Sequence, residues 1–307
     1  MPIETFSNVT TLVTHARCPD GTASALIVQD ALPQKIDVKF VQYNTPGHTQ
    51  LEAKPGLLFV DFSPPRERLQ EFISAGALVL DHHKSQRDII EAFGPDQSIY
   101  GDEVVEPGVS GAVLAYRHIW KPLKPTNSSS YPHWVSNFAQ LIGIRDTWQK
   151  DSPDWDQACA YASALMFFPS AEDALALGLP NLCVGWESRY GWAGVVSYDK
   201  HVARAKYVAE HAYRWTSPNG TRLALFQGTS VSSDAIGYLP DVDLVAGFDV
   251  ICEEGIVKYL YSLRSRRDFD CSSFAKKHGG GGHIRAAGFS IVHPTCDPYK
   301  LFTDLLP

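Results

Sequence analysis

The sequence predicts an α/β protein: an N-terminal domain built on a parallel sheet, then a smaller C-terminal α/β domain with a mixed sheet, with a cleft between them. Three observations carry this. A chain of 307 residues and 33.9 kDa exceeds the usual size of a single core. Its first half alternates short β-rich runs with helical segments, the pattern of a largely parallel sheet. A second group of strand-like runs follows residue 220 after a long, irregular stretch. The expected ranges are 1–155 for the first domain, 156–198 for a connecting region and 199–307 for the second domain.

Taken in order, TLVTHA (11–16) reads as a strand, GTASALIVQDAL (21–32) as a helix and DVKFVQY (37–43) as a strand. LLFVDF (57–62) and ALVLDHH (77–83) follow as strands whose nearly continuous apolar character suits a sheet covered on both faces. Helices are expected at GVSGAVLAYRHIW (108–120) and WVSNFAQLIGIRDTW (134–148), where apolar residues recur at three- and four-residue spacing. Residues 150–199, rich in Pro, Gly, Trp and acidic side chains, read as helix plus irregular connection. DKHVARAKYVAEHAYRW (199–215) reads as a helix. LALFQG, DLVAGFDVI and IVKYLYSLRS read as the strands of the second sheet.

Composition narrows the function classes. A hydrophobic fraction of 44% and a charged fraction of 20% are ordinary for a globular protein, and no apolar run approaches the roughly 20 residues that span a bilayer. The opening MPIETFSNVTTLV lacks the pattern of a secretory signal, so a cytoplasmic protein away from membranes is expected. Six scattered cysteines, Cys18, Cys159, Cys183, Cys252, Cys271 and Cys296, form no C-x-x-C pair, which argues against a disulfide framework and a structural zinc site. A net charge of -7 disfavours a long basic track for duplex nucleic acid. Any grip on an anionic substrate has to be local.

Three strands end in acid or imidazole: His15, then Asp61, then Asp81 with His82 and His83. Ligands of open α/β sheets bind outside the carboxyl ends of the strands, so these groups are expected to converge. His15 and Asp20 flank a strand-to-helix turn that could hold a phosphate, although an Asp there is ordinarily a helix cap. Asp61 before Ser63-Pro64-Pro65 also admits a capping role. LDHHKS is harder to dismiss, because it puts an Asp and two His on one backbone turn after a buried strand. Carboxylate oxygen with imidazole suits manganese, magnesium, iron or zinc. Asp146 in GIRDTWQ has a weaker claim by itself.

The most specific single element is KKHGGGGHIRAAGFS. Gly279, Gly280, Gly281 and Gly282 permit positive φ and a nest of backbone N–H groups for an anion. His283 and Arg285 stand beside it, and Arg264, Arg266, Arg267, Lys276 and Lys277 concentrate positive charge nearby. The plainer alternative is a tight turn before the strand AAGFSI, which would need only one or two glycines.

In this order, THARCPDG, FVDF, LDHH, GIRDTW and HGGGGHIRAAGF resemble the successive motifs of the DHH phosphoesterase superfamily with its DHH-associated C-terminal domain, the group of RecJ-like exonucleases and nanoRNA or phosphoadenosine phosphatases. The likeness spans nearly the whole chain, and five motifs in order are far more specific than any one. It implies that 1–155 is the catalytic domain and 199–307 the substrate-binding domain. It also implies hydrolysis of phosphodiesters or phosphomonoesters in nucleotides or short single-stranded oligonucleotides, at one or two divalent ions, usually manganese. His15 and Asp61 would hold one ion and Asp20, Asp61, His82 and Asp146 the other, so that Asp61 bridges. His83 would face the scissile phosphate, with Asp81 orienting a histidine. Gly280, Gly281, Gly282, His283, Arg285 and Arg264 would hold substrate phosphate. A homodimer is compatible with this reading.

The sequence departs from the family pattern at Cys18-Pro19-Asp20, where many members carry D-x-D. A thiolate favours zinc or iron over manganese. The site could therefore change metal, hold its first ion weakly, work with one ion, or leave Cys18 as a buried bystander. Two further readings stay open: a phosphatase of the pyrophosphate or polyphosphate type, and a catalytically silent nucleotide-binding protein.

Overall fold

The computed structural model describes residues 3–124, 130–253, 256–266, 269–293 and 297–306. Arg267 and Cys296, singled out above, lie outside the described residues. The chain divides into two compact units, Met1–Tyr198 and Asp199–Pro307.

The first unit holds five strands: β1 (Thr11–His15), β2 (Asp37–Val41), β3 (Leu57–Val60), β4 (Leu78–Asp81) and β5 (Ser98–Tyr100). All pair in parallel, in the order β2-β1-β3-β4-β5. Side chains alternate between faces along each strand, so one sheet feeds two cores. Leu12, Leu58, Val60, Leu78 and Leu80 pack on one side with the helices Pro19–Ala31, Gly111–Ala115 and Ser130–Asp146. Val13, Leu57, Phe59 and Val79 pack on the other with Phe72, Ile89 and Ile90. Burial on both faces is why these strands read as unbroken apolar runs. Chain order reverses between β1 and β3, and in open α/β sheets such a switch point opens a crevice at the strands' carboxyl ends.

Several boundaries differ from expectation. The helix expected at 108–120 starts at Gly111, capped by the Ser110 hydroxyl, and passes into a π-helical turn at Tyr116–Trp120. Residues 156–198, expected as a connecting region of helix plus irregular chain, are largely helical: Trp155–Met166, Ala171–Leu177, Leu179–Gly185 and the start of Gly191–Glu210. Their Ala158, Tyr161, Leu165, Leu182 and Trp186 belong to the same core as Leu12. Pro180 stands in the first turn of its helix, where the missing N–H costs nothing. The helix expected at 199–215 runs from Gly191 to Glu210 instead, and Tyr213–Thr216 is a strand, because Tyr213 and Trp215 pair with Leu225 and Leu223.

The second unit carries β6 (Tyr213–Thr216), β7 (Arg222–Gln227), β8 (Leu244–Glu253), β9 (Ile256–Ser265), β10 (Gly281–His283) and β11 (Ala286–Val292). The order is β10-β11-β9-β8-β7-β6, with β7 and β8 parallel and the other pairs antiparallel, a mixed sheet as expected. Its core gathers Leu225, Phe248, Tyr261 and Phe289 against Phe274 and Phe302 of two short helices.

Candidate metal centre

The carboxyl ends of β1, β3 and β4 deliver His15, Asp61 and the Asp81-His82-His83 turn to one place. Asp61 stands one residue beyond β3 with φ of +56°, an uncommon conformation for a residue with a Cβ, and its side chain is buried. Its Oδ1 lies 3.2 Å from His82 Nε2. The same nitrogen is 3.6 Å from Asp20 Oδ2 and 3.4 Å from Asp146 Oδ2. Asp20 comes from the first turn of the helix Pro19–Ala31 and Asp146 from the last residue of Ser130–Asp146. Five expected residues, His15, Asp20, Asp61, His82 and Asp146, are therefore neighbours in space.

Among the described residues, two ligand groups match the pair of ions the motifs imply. One atom each of Asp20, His82 and Asp146 lie within 4.8 Å of one another, and so do one atom each of His15, Cys18 and Asp61. Asp61 touches both groups, through Oδ1 toward His82 and through Oδ2 toward His15 Nδ1 at 4.0 Å.

Neither capping role offered by the sequence is realised. Asp20 leaves its own helix uncapped and accepts three bonds at the start of another: from Ser110 Oγ at 2.7 Å, Gly111 N at 2.7 Å and Ala112 N at 2.9 Å. A helix N-terminus thus stabilises this buried carboxylate. Gly111 is required for the approach, because a Cβ there would stand 2.4 Å from Asp61 Cβ and 2.9 Å from Asp20 Oδ2.

Asp81 stands behind the cluster. Its Oδ1 accepts from the backbone N–H groups of His82 at 2.7 Å and His83 at 3.2 Å, and pairs with His83 Nδ1 at 2.7 Å, while Oδ2 accepts from Ser63 Oγ at 2.7 Å. Burial alone would raise Asp81, but the His83 imidazole holds it well below the usual carboxylate range. Burial likewise opposes charge on His83, yet Asp81 wins and holds it at about 9.

Several supporting residues carried no sequence signal by themselves. Gln42 Oε1 meets His15 Nε2 at 3.2 Å, which turns the other ring nitrogen of His15 toward Asp61. The Tyr43 hydroxyl accepts from Ser63 N at 3.0 Å, and the ring stacks on Phe62 with centroids 4.2 Å apart. Ser110, of a type common at helix starts, caps the helix Gly111–Ala115, and its bond to Asp20 came only from the fold.

The cluster fits a divalent metal. Burial raises Asp61 well above the ordinary carboxylate range, and the neighbouring charges of Asp20, Asp146 and Asp81 add to it. Burial puts His15 down at about 4. Among the described residues, Asp61 Oδ2 and His15 Nδ1 are buried with no hydrogen-bond partner. An unsatisfied carboxylate oxygen among other carboxylates calls for a cation, and oxygen with imidazole nitrogen is a divalent-metal donor set.

Comparison with known proteins shows what the chain resembles. No family model matches the chain. Oligoribonuclease NrnB of Bacillus subtilis (strain 168) is 25% identical over 92% of this chain and 72% of that protein. The pGpG-specific phosphodiesterase PggH from Vibrio cholerae superposes with a TM-score of 0.52 at 17% identity, covering 96% of this chain and 98% of that one. A solved DHH domain, described as a member of a family of ribosomal proteins, superposes with a TM-score of 0.57 at 12% identity, over 97% of this chain and 86% of that one. At these identities the two superpositions show a shared fold. In this chain the Asp and second His of LDHH buttress each other, while the first His stands among the acids.

The glycine run of the second unit has identifiable structural duties. Gly279 follows the helix Cys271–Lys277 with φ of +76°, as a helix-stopping glycine does. A Cβ on Gly280 would stand 2.1 Å from Gly288 O, and one on Gly282 would stand 2.5 Å from Ala286 O, so β10 can lie against β11 only without them. The tight-turn reading therefore explains more of the run than one or two residues. His283 ends β10, and Arg285 follows in the turn, exposed. Arg264 on β9 donates to Ser233 Oγ at 2.7 Å and Ser262 Oγ at 3.2 Å.

Proposed function

We propose that this protein is a metal-dependent phosphoesterase that hydrolyses phosphodiester bonds in short oligonucleotides or nucleotides. The observation that carries the reading is the meeting of His15, Asp20, Asp61, His82 and Asp146 at the sheet's switch point, with a buried oxygen of Asp61 left unsatisfied. The activities named for the curated relative and for PggH supply the substrate class.

Asp20, Asp61, His82 and Asp146 would hold one divalent ion and His15 with Asp61 a second. Oxygen-rich ligation of the first suits manganese, with magnesium the nearest alternative. Such ions lower the pKa of a bound water and neutralise charge on phosphoryl oxygens. The chain's own residues do the positioning. Asp81 takes His83 Nδ1 and raises its affinity for a proton, so that Nε2 of a cationic ring is available to meet a phosphate oxygen. Asp20, fixed by the Gly111–Ala115 helix, resists displacement when a substrate enters. In the second unit, His283 and Arg285, with the glycines 280–282 and Arg264, would contact the phosphate or the terminal nucleotide.

The test is a manganese-supplemented hydrolysis panel of dinucleotides, phosphoadenosine phosphate, pyrophosphate and a single-stranded oligomer. Dinucleotides or short oligomers should be the preferred substrates. Preference for pyrophosphate would overturn the substrate class, and metal-independent or absent hydrolysis of all four would overturn the reading.

A further inference from the structure

We propose that Cys18 is a thiolate ligand of the ion held by His15 and Asp61, and that this position selects a softer divalent ion, zinc, iron(II) or cobalt(II), over manganese. The inference rests on the metal-dependent reading above and names the chemistry of one of its two positions.

Three observations carry it. Cys18, His15 and Asp61 each offer a ligand atom, all within 4.8 Å of one another. Among the described residues, the Asp61 oxygen on this side is buried and has no hydrogen-bond partner, and Asp61 is 1% exposed. His15 presents Nδ1 to the same space because Gln42 occupies its Nε2. Carboxylate, imidazole and thiol around an unsatisfied oxygen form an S/N/O set, unlike the mainly oxygen set of Asp20, Asp61, His82 and Asp146.

Local backbone explains why a cysteine can serve here. Cys18 is the residue before the helix Pro19–Ala31, in extended conformation, and its side chain makes no capping bond. Its carbonyl starts the helix by accepting from Thr22 N at 3.0 Å. The side chain is thereby released from helix duty. Gly21 lets this turn close onto β1, since a Cβ there would stand 2.2 Å from His15 O. Soft sulfur favours zinc and iron, whereas carboxylate-rich sites suit manganese and magnesium, so the two positions would load different ions. Ligation converts the thiol to thiolate and passes one proton to the buffer.

Cobalt(II) is the probe, because a cobalt–thiolate bond gives an intense near-ultraviolet charge-transfer band that nitrogen and oxygen ligands do not. The intact chain, stripped of metal and titrated with cobalt, should develop that band with release of a proton. Cys18→Ser should bind cobalt without the band. It should also lose at least about tenfold in zinc affinity, the smallest loss expected when even an outer partner of a ligand is removed. Cys18→Asp should abolish the band and improve manganese affinity, and its circular dichroism and melting temperature keep a folding defect distinguishable from ligand loss. Cobalt bound without the band in the intact chain, or a band that survives in Cys18→Ser, would overturn the inference and leave the metal-dependent reading standing. Failure to bind cobalt, zinc or manganese at all would overturn both.

Discussion

The Asp20 carboxylate accepts a 2.7 Å hydrogen bond from the backbone N–H of Gly111, ninety-one residues further along the chain. That bond ties the first turn after β1 to the helix Gly111–Ala115 and sets Asp20 beside His82. Gly111→Ala should therefore disturb the centre itself. With no room for its Cβ, we expect a stability loss of about 1–3 kcal/mol, as overpacking usually brings. Manganese affinity should fall with it. Denaturant melts and metal titration read the two effects, and an alanine variant with intact metal affinity would show that Asp20 and Asp61 are less tightly coupled than their spacing indicates.

Asp61→Asn should cost a hundredfold to thousandfold or more in kcat, roughly the scale of removing a preorganised charge from an active site. An amide keeps the shape and loses the charge that both ligand groups share. The metal-free variant should melt no lower than the wild type, because crowding of Asp61 with Asp20, Asp146 and Asp81 is relieved. Near-normal turnover would remove Asp61 from the centre of the site.

The acid–base groups predict how metal-free stability responds to pH. His83 is raised in the folded protein to about 9, so its stabilisation is complete below its ordinary 6.5 and is lost as pH climbs toward 9. Asp61 is raised as well, so ionising it costs the folded state stability as pH rises above the ordinary carboxylate range. His15, lowered to about 4, acts in the opposite sense, with stability lost as pH falls from 6.5 toward 4. Above pH 6.5 that contribution is flat, so from about pH 7 to 9 the melting temperature in chelator should fall. Added manganese should raise it more at pH 9 than at pH 7, since bound carboxylates are ionised and the imidazole ligands neutral. A manganese shift that shrinks with rising pH would contradict the assignment of a cation to this cluster.

His283→Ala and Arg285→Ala, in the second unit, should leave metal content intact and lower kcat/KM on the order of tenfold to hundredfold, the loss of one charge-assisted hydrogen bond of roughly 1.5–3 kcal/mol. Metal analysis with steady-state kinetics separates the two effects. Loss of metal together with activity would assign the β10–β11 turn to the metal site or to folding instead.

What the amino-acid sequence determined by itself was four of the five strands of the first sheet and the identity of the ligand candidates. Leu12–Val13, Leu57–Val60 and Leu78–Leu80 are apolar on both faces, which announces parallel buried strands within a few residues of chain, and the acids and imidazoles directly after them follow the carboxyl-end rule. Local pattern reached no further, because hydrophobic periodicity reports what a segment buries and not which distant segment it meets. Only tertiary structure decided that Asp20 bonds the Gly111–Ala115 helix rather than capping its own, and that Asp81 serves His83. It also turned Gln42 onto His15 and set Cys18 beside His15 and Asp61. The tryptophan- and proline-rich stretch after Trp155 read as helix plus irregular connection between domains, and Tyr161, Leu165 and Trp186 place it in the first core. The glycine run likewise looked like a nest for an anion, and Gly280 and Gly282 also prove to be where β10 closes on β11 with no space for a Cβ. Each of these depends on atoms brought together across tens of residues by packing, where a single oxygen's satisfaction or a single methyl's clash fixes the outcome.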